Sequence, residues 1–355
     1  MRLGYACTNM TLTNRPKKLG GRITTSRTLR QASWQPTWDL HRVGELAVAN
    51  ATDLLEYLKW NDEHRITLFR VGSEIVPWHD HFELTDLPQY EELSEALFKA
   101  GEYAREHGHR LTTHPGPFHV LGSPNQDVVE RSITSLERHS EVFDLMGFEP
   151  SHENKINIHI GGAYGNHEGT AVRWIEGYNR LSDACRARLV IENDDKNSMY
   201  SVRMLYDLFH RVVGMPITFD YHHHMFHPDG LDEYEALQMA ADTWPSDVRQ
   251  CTHYSECRTH EKQRDFEEMI QKQGLSLNEV QEWPELAKIK HNIDKIRKQA
   301  HSDYIYDEIR TYGMDFDIVV EAKAKELAVL HYRHIYPKSE IKVYNERQRK
   351  HTKTA

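Results

Sequence analysis

Eight short apolar runs, with helical stretches between them, constrain what this sequence can fold into more than any other feature. They fall at 3–7, 66–72, 110–114, 155–161, 188–194, 216–223, 250–255 and 317–323. Each is short and mostly apolar, as a parallel strand covered on both faces must be. The stretches 40–61, 93–107, 128–146, 171–184, 204–213 and 231–240 carry apolar residues at helical spacing, with Leu46, Leu54, Leu55 and Leu58 in the first of them. Alternating strand and helix give a parallel sheet, and eight such units give a closed α/β barrel of the (β/α)8, TIM-barrel type. A chain of 355 residues is long enough for one such barrel with a full core. We read residues 1–335 as a single domain and 336–355 as a basic tail. Residues 256–300 are highly charged, with helical patterns at 264–273 and 285–299. They are either an insertion after the seventh strand or an ordinary long crossover.

The formal net charge of −10 argues against wholesale coating of nucleic acid. Its distribution says something different. Residues 1–38 hold seven basic residues (Arg2, Arg15, Lys17, Lys18, Arg22, Arg27 and Arg30) and no acid, while 335–355 hold six basic and two acidic residues. Basic ends on an acidic body can hold a phosphate backbone against an acidic, metal-loaded pocket; the plainer alternative is a solvated loop and a loose tail. No apolar run approaches the ~18–20 residues a membrane helix needs. The chain passes from Met1 straight into a strand-like pattern, so no signal peptide is expected. Cys7, Cys185, Cys251 and Cys257 form no CxxC pair, which points to a reducing compartment: the cytoplasm, or the nucleus in a eukaryote.

Barrel enzymes place their chemistry at the C-terminal ends of the strands. Six consecutive runs end there in ionisable groups: Thr113-His114-Pro115-Gly116, Ile158-His159-Ile160-Gly161, Ile191-Glu192-Asn193-Asp194, Asp220-Tyr221-His222-His223-His224, Thr252-His253-Tyr254 and Val320-Glu321-Ala322-Lys323. Such groups among apolar neighbours are costly to bury unless they are paired or bind a cation. A ring of them at one mouth predicts a metal cluster, and imidazole with carboxylate suits Zn²⁺ or Mn²⁺. Glu192 and Glu321 are natural bridges, because a carboxylate has two oxygens. Taken singly, His159 or His253 is more simply a satisfied core histidine. His222, His223 and His224 cannot share one role if they lie on a strand, where neighbours face opposite sides.

These residues resemble the UV damage endonuclease family over nearly the whole chain. The motifs are Leu3-Gly4-Tyr5 with Asn9-Met10-Thr11-Leu12, His114-Pro115-Gly116, His159-Ile160-Gly161-Gly162-Ala163-Tyr164-Gly165, Glu192-Asn193-Asp194, Asp220 with His223-His224, His301-Ser302-Asp303-Tyr304 and Glu321-Ala322-Lys323. The resemblance implies a TIM barrel related to endonuclease IV, holding up to three divalent ions. Mn²⁺ is the expected ion, with Mg²⁺, Co²⁺ or Zn²⁺ as alternatives. By motif, His114, His159, Glu192, Asp220, His223, His253, His301 and Glu321 fall on the family's metal ligands. His301 lies in a polar stretch that strand-end reasoning would not select. The implied reaction is hydrolysis of the phosphodiester immediately 5′ of a cyclobutane dimer or 6-4 photoproduct, leaving a 3′-hydroxyl and a 5′-phosphate, with abasic sites as secondary substrates. A metal-bound hydroxide is the implied nucleophile. Tyr5 and Asn9 match positions at the lesion pocket, and His81 and Lys323 match catalytic positions.

Two departures stand out. The family's polar-aromatic wedge after His-Pro-Gly is here Pro117-Phe118, which keeps the aromatic and loses the polar member. Cys251 stands where relatives often carry a lysine, sometimes carboxylated, and a thiol cannot imitate a carbamate.

Other readings of the same pattern are an abasic-site endonuclease, a sugar isomerase on the same barrel, or a non-catalytic binder. The basic arm and Phe118 favour DNA over a sugar, and a binder has no need of bridging carboxylates. The expected partner is duplex DNA carrying UV lesions. A monomer is expected, since the duplex must reach the mouth, and no membrane is expected.

Overall fold

The computed structural model describes residues 1–29 and 39–337. Its eight strands are β1 (Leu3–Ala6), β2 (Leu68–Val71), β3 (Arg110–Thr113), β4 (Ile156–His159), β5 (Leu189–Glu192), β6 (Ile217–Thr218), β7 (Cys251–Tyr254) and β8 (Asp317–Val320). All pair in parallel, in the order β6-β5-β4-β3-β2-β1-β8-β7. The two ends of this sheet meet at β6 and β7. There a bridge joins Asp220 and His253, and the His253 amide donates to Phe219 O at 2.9 Å. The barrel is therefore nearly closed, with its weakest ladder at that seam. β1, β3, β5 and β8 are buried at every position, which explains why their sequences show no alternation.

Helices cover the outside, and their boundaries follow local capping chemistry. Asp39 caps Leu40–Glu63 by accepting from Arg42 N, and Asn125 caps Gln126–Leu145 by accepting from Asp127 N. The stretch expected as one helix at 171–184 is two, His167–Tyr178 and Asp183–Arg188. The Ser182 hydroxyl starts the second by accepting from Cys185 N. The run expected as a strand at 216–223 is corrected more sharply. β6 spans two residues, and Tyr221–Phe226 is a short helix. Asp220 stops the strand, because its side chain caps that helix through His223 N at 2.8 Å. The three histidines are thus arranged around a helix rather than alternating on a strand.

Between β7 and β8 lie helix Arg258–Lys272, a 3-10 turn at Leu277–Glu282 and helix Pro284–Asp294. Phe266, Ile270, Val280, Leu286 and Ile293 give this segment a small core of its own. The buried Glu261 carboxylate joins it to the chain ahead of β8, accepting from Asp303 N at 2.9 Å, Tyr304 N at 3.1 Å and the Tyr306 hydroxyl at 3.0 Å.

At the N-terminal end of the barrel, buried Asp317 faces Arg2 at 3.0 Å, Arg110 at 3.1 Å and Arg249 at 3.5 Å. Arg2 therefore serves the barrel floor, and Arg27 pairs with Asp53 at 2.6 Å. Arg15, Lys17, Lys18 and Arg22 remain exposed, so the basic arm is not one continuous patch. Arg30 and residues 338–355 of the tail lie outside the described residues. Among the described residues all four cysteines are free, and no helix is long and apolar enough to cross a membrane.

Candidate metal centre

Glu192 is the last residue of β5, and the parallel register sets it directly beside His159, the last residue of β4. His114 follows β3 immediately, and His253 is the third residue of β7. Strand ends thus deliver all four side chains to one mouth. Glu192 Oε2 lies 3.0 Å from His114 Nε2 and 4.0 Å from His159 Nε2. Its Oε1 lies 3.0 Å from His253 Nδ1 and 3.5 Å from His223 Nδ1. The residue is 1% exposed.

Two triples bring their donor atoms within 4.8 Å of one another: His114, His159 and Glu192, and Glu192, Asp220 and His253. Glu192 belongs to both, as a bridging carboxylate must. Glu321 reaches the same centre from beyond β8: it pairs with Arg70, and its Oε1 lies 3.3 Å from His253 Nδ1. His223 stands one helical turn past Asp220, its Nδ1 2.8 Å from Asn193 O. His301 is carried in by an antiparallel bridge to Cys257, with its Nδ1 2.6 Å from the Ser255 hydroxyl. His223, His301 and Glu321 lie around the two triples without belonging to either.

The electrostatics suit a cation. Burial would raise the Glu192 carboxyl, but His253 and His159 hold it well below the usual range. Burial would lower His159, yet Glu192 and Asp194 pull it up to about 10. His253 is fully buried and driven down to about 4, with Glu192 only partly offsetting the desolvation. Burial pushes the Asp220 carboxyl up to about 7, with Glu192 and Glu321 adding to the effect against His223. Burial also opposes ionisation of Glu321, but Arg70 and His253 keep its carboxyl below the usual range. Asp220 Oδ2 is buried with no hydrogen-bond partner. Such an atom is costly to bury unless something positive meets it. Nitrogen and carboxylate donors, one shared carboxylate and one orphaned oxygen fit divalent ions of the Mn²⁺ or Zn²⁺ type.

Several residues here escaped the strand-end search. Asn157 Nδ2 donates to Glu192 Oε2 from below. Lys155 Nζ donates to Thr218 Oγ1 at 2.7 Å, Cys251 O at 3.0 Å and Asn157 Oδ1 at 3.1 Å, tying β6 to β7 across the weak seam. Burial pushes its pKa down to about 8. An ammonium from the start of β4 thus reaches the backbone of Cys251, the position without the family's lysine. Arg70, on β2, balances Glu321. The signal for Arg70 and Lys155 was present: each is a charge in an apolar run, the criterion that singled out Glu192.

The remaining expected residues are placed as follows. Phe118 is 83% exposed and Pro117 beside it is exposed, on the loop after β3. His81 lies on the loop after β2, 3.6 Å from Asp80. Lys323 is exposed beyond β8, its amide donating to Ser302 O at 3.0 Å. Tyr5 and Asn9 are fully buried, and Asn9 Nδ2 donates to the Tyr5 hydroxyl at 2.9 Å, which donates to Asn61 Oδ1 at 2.7 Å.

Fold and site together define a (β/α)8 barrel whose C-terminal mouth can hold divalent ions. The chain matches the family model described as UV-endonuclease UvdE over residues 1–349, and it belongs to that family. It is 36% identical to the UV-damage endonuclease of Neurospora crassa over 299 residues, covering 72% of this chain and 44% of that protein. It is 30% identical to the UV-damage endonuclease of Schizosaccharomyces pombe over 336 residues, covering 92% of this chain and 49% of that one. The chain therefore spans about half the length of these two relatives. The crystal structure of SacUVDE superposes with a TM-score of 0.71 at 26% identity, covering 95% of this chain and 98% of that one.

Proposed function

We propose that this protein is a metal-dependent DNA repair endonuclease that nicks duplex DNA immediately 5′ of UV photoproducts, leaving a 3′-hydroxyl and a 5′-phosphate. The observation that carries the reading is the sharing of Glu192 between two donor triples inside a family of this name. His114, His159, Glu192, Asp220, His223, His253, His301 and Glu321 would hold up to three ions, Mn²⁺ first among the candidates. Bound ions supply Lewis acidity, activating water and neutralising charge on the phosphoryl group. The protein's own residues do the rest. Asn157 and Lys155 keep the Glu192 carboxylate in place from below. Lys323 projects an ammonium beside the His301 segment, where it neutralises a phosphate oxygen, and His81 contacts the substrate from the loop after β2. Phe118, exposed with Pro117 at the mouth, enters the gap left by unstacked bases. Tyr5 and Asn9 act from within, shaping the wall of the lesion pocket. The protein works as a monomer, with its mouth open to the duplex.

Supercoiled plasmid, irradiated or untreated, is incubated with the protein and Mn²⁺. Nicking confined to irradiated DNA is the expected result. Equal nicking of both overturns lesion recognition, and nicking of depurinated DNA alone makes the protein an abasic-site endonuclease.

A further inference from the structure

A second histidine cluster lies outside the metal centre. His79, from the loop after β2, and His119, from the loop after β3, converge on Ser135 in the middle of helix Gln126–Leu145. His119 Nε2 lies 2.7 Å from the Ser135 hydroxyl and His79 Nε2 lies 3.3 Å from it. The buried His139 ring packs edge-on to both, at 4.6 Å from His79 and 6.0 Å from His119.

The far side of each ring fixes its tautomer. His119 Nδ1 is 2.7 Å from Gly116 O, and His79 Nδ1 is 3.0 Å from Val76 O. Carbonyl oxygens only accept, so both Nδ1 atoms carry hydrogen. Burial lowers the pKa of both rings and favours the neutral form, so each Nε2 offers a lone pair. Ser135 has one hydroxyl proton for two acceptors, and the 2.7 Å contact takes it. The result is a continuous chain: Ser135 donates to His119, and His119 donates to Gly116, two residues before Phe118. Neighbouring residues on the same helix grip the same loops. Ser132 Oγ accepts from Val120 N at 2.9 Å, and Arg138 donates to Phe82 O at 3.2 Å and pairs with Glu83.

We propose that Ser135 is a positioning residue for DNA recognition: through His119 it sets the height of the Pro117-Phe118 loop above the metal centre. This rests on the reading of Phe118 as the residue that enters the duplex. Phe118 is itself almost without packing, so the posture of its loop depends on the residues behind it.

The test is a double-mutant cycle read as kcat/KM on irradiated DNA. Ser135→Ala is expected to lower it by about fivefold, the effect of one lost hydrogen bond. Ser135→Thr, which keeps the hydroxyl, should retain most of the activity. In a Phe118→Ala background Ser135→Ala should cost nothing further, while Mn²⁺ affinity stays unchanged throughout. His119→Phe cuts the same chain from the other end and should reproduce the loss if Ser135→Ala does not fold. Equal losses from Ser135→Ala with and without Phe118, or no loss with Phe118 present, overturn the proposal and leave the endonuclease reading intact. A wild-type protein that nicks irradiated and untreated DNA alike overturns both.

Discussion

His253 Nδ1 stands 3.0 Å from Glu192 Oε1, and neither residue is more than 1% exposed. An imidazole and a carboxylate so enclosed leave each other as the main compensation for lost water. Because both atoms are also suitable metal donors, the pair doubles as half of a cation site.

Glu192→Gln should abolish that function without unfolding the barrel. The amide keeps the side-chain volume but loses the charge that both triples share. Nicking of irradiated plasmid should fall by well over ~100-fold, more than the loss expected from an outer-shell change. Circular dichroism should report a folded barrel. Residual activity within a few-fold of wild type would remove Glu192 from the bridging role.

Metal binding should release protons. In the ion-free protein Asp220 titrates at about 7 and His159 at about 10, so near neutrality both hold protons that a cation must displace. Affinity for Mn²⁺ should therefore rise as pH increases from about 6 to about 8. Calorimetry in buffers of different ionisation enthalpy reads this directly. Identical heats in all buffers would contradict it.

Phe118→Ala should weaken discrimination between irradiated and untreated DNA by on the order of tenfold, the scale of one stacking contact. The side chain is 83% exposed, so Mn²⁺ affinity and Tm should not move. An unchanged preference would exclude an insertion role.

Asp317→Asn should cost stability rather than chemistry. Asp317 is the buried partner of Arg110, whose side chain has no exposed surface, and removing the carboxylate leaves that guanidinium only the more distant, half-exposed Glu153 at 3.6 Å. About 3 kcal/mol is expected. Burial works against ionisation of Asp317, but Arg2, Arg110 and Arg249 hold its pKa below the usual carboxylate value. Its contribution is therefore complete above the unfolded pKa and is lost as pH falls through the folded one. Urea melts should show a wide gap between wild type and variant near neutrality and a narrowing gap below about pH 4. A gap independent of pH would mean that packing, not charge, accounts for the loss.

Much of the mouth was legible because the rule behind it is local. A charge inside an apolar run is conspicuous, and His114, His159, Glu192 and His253 came together at one mouth of the barrel. Asp220 was legible as a donor but not as a cap, since capping depends on the helix that follows. His301 was invisible to strand-end reasoning and came only through its motif. Its place is made by the fold of the long segment between β7 and β8, which returns the chain to Cys257. Arg70 and Lys155 satisfy the same rule as Glu192 but lie away from the C-terminal ends of their runs, where barrel chemistry is expected.

The sequence by itself determined the number and order of the strands, the barrel class and the residue types at its mouth. These follow from burial on two faces and from the cost of enclosing a charge, both of which act within a few residues. Only the tertiary structure decided which partners meet: Lys155 across the β6–β7 seam, Arg70 on Glu321, and Ser135 between two loops. Those choices depend on the closure of the sheet and the packing of a helix against it. Contacts between residues dozens to hundreds of positions apart leave no periodic trace in the chain.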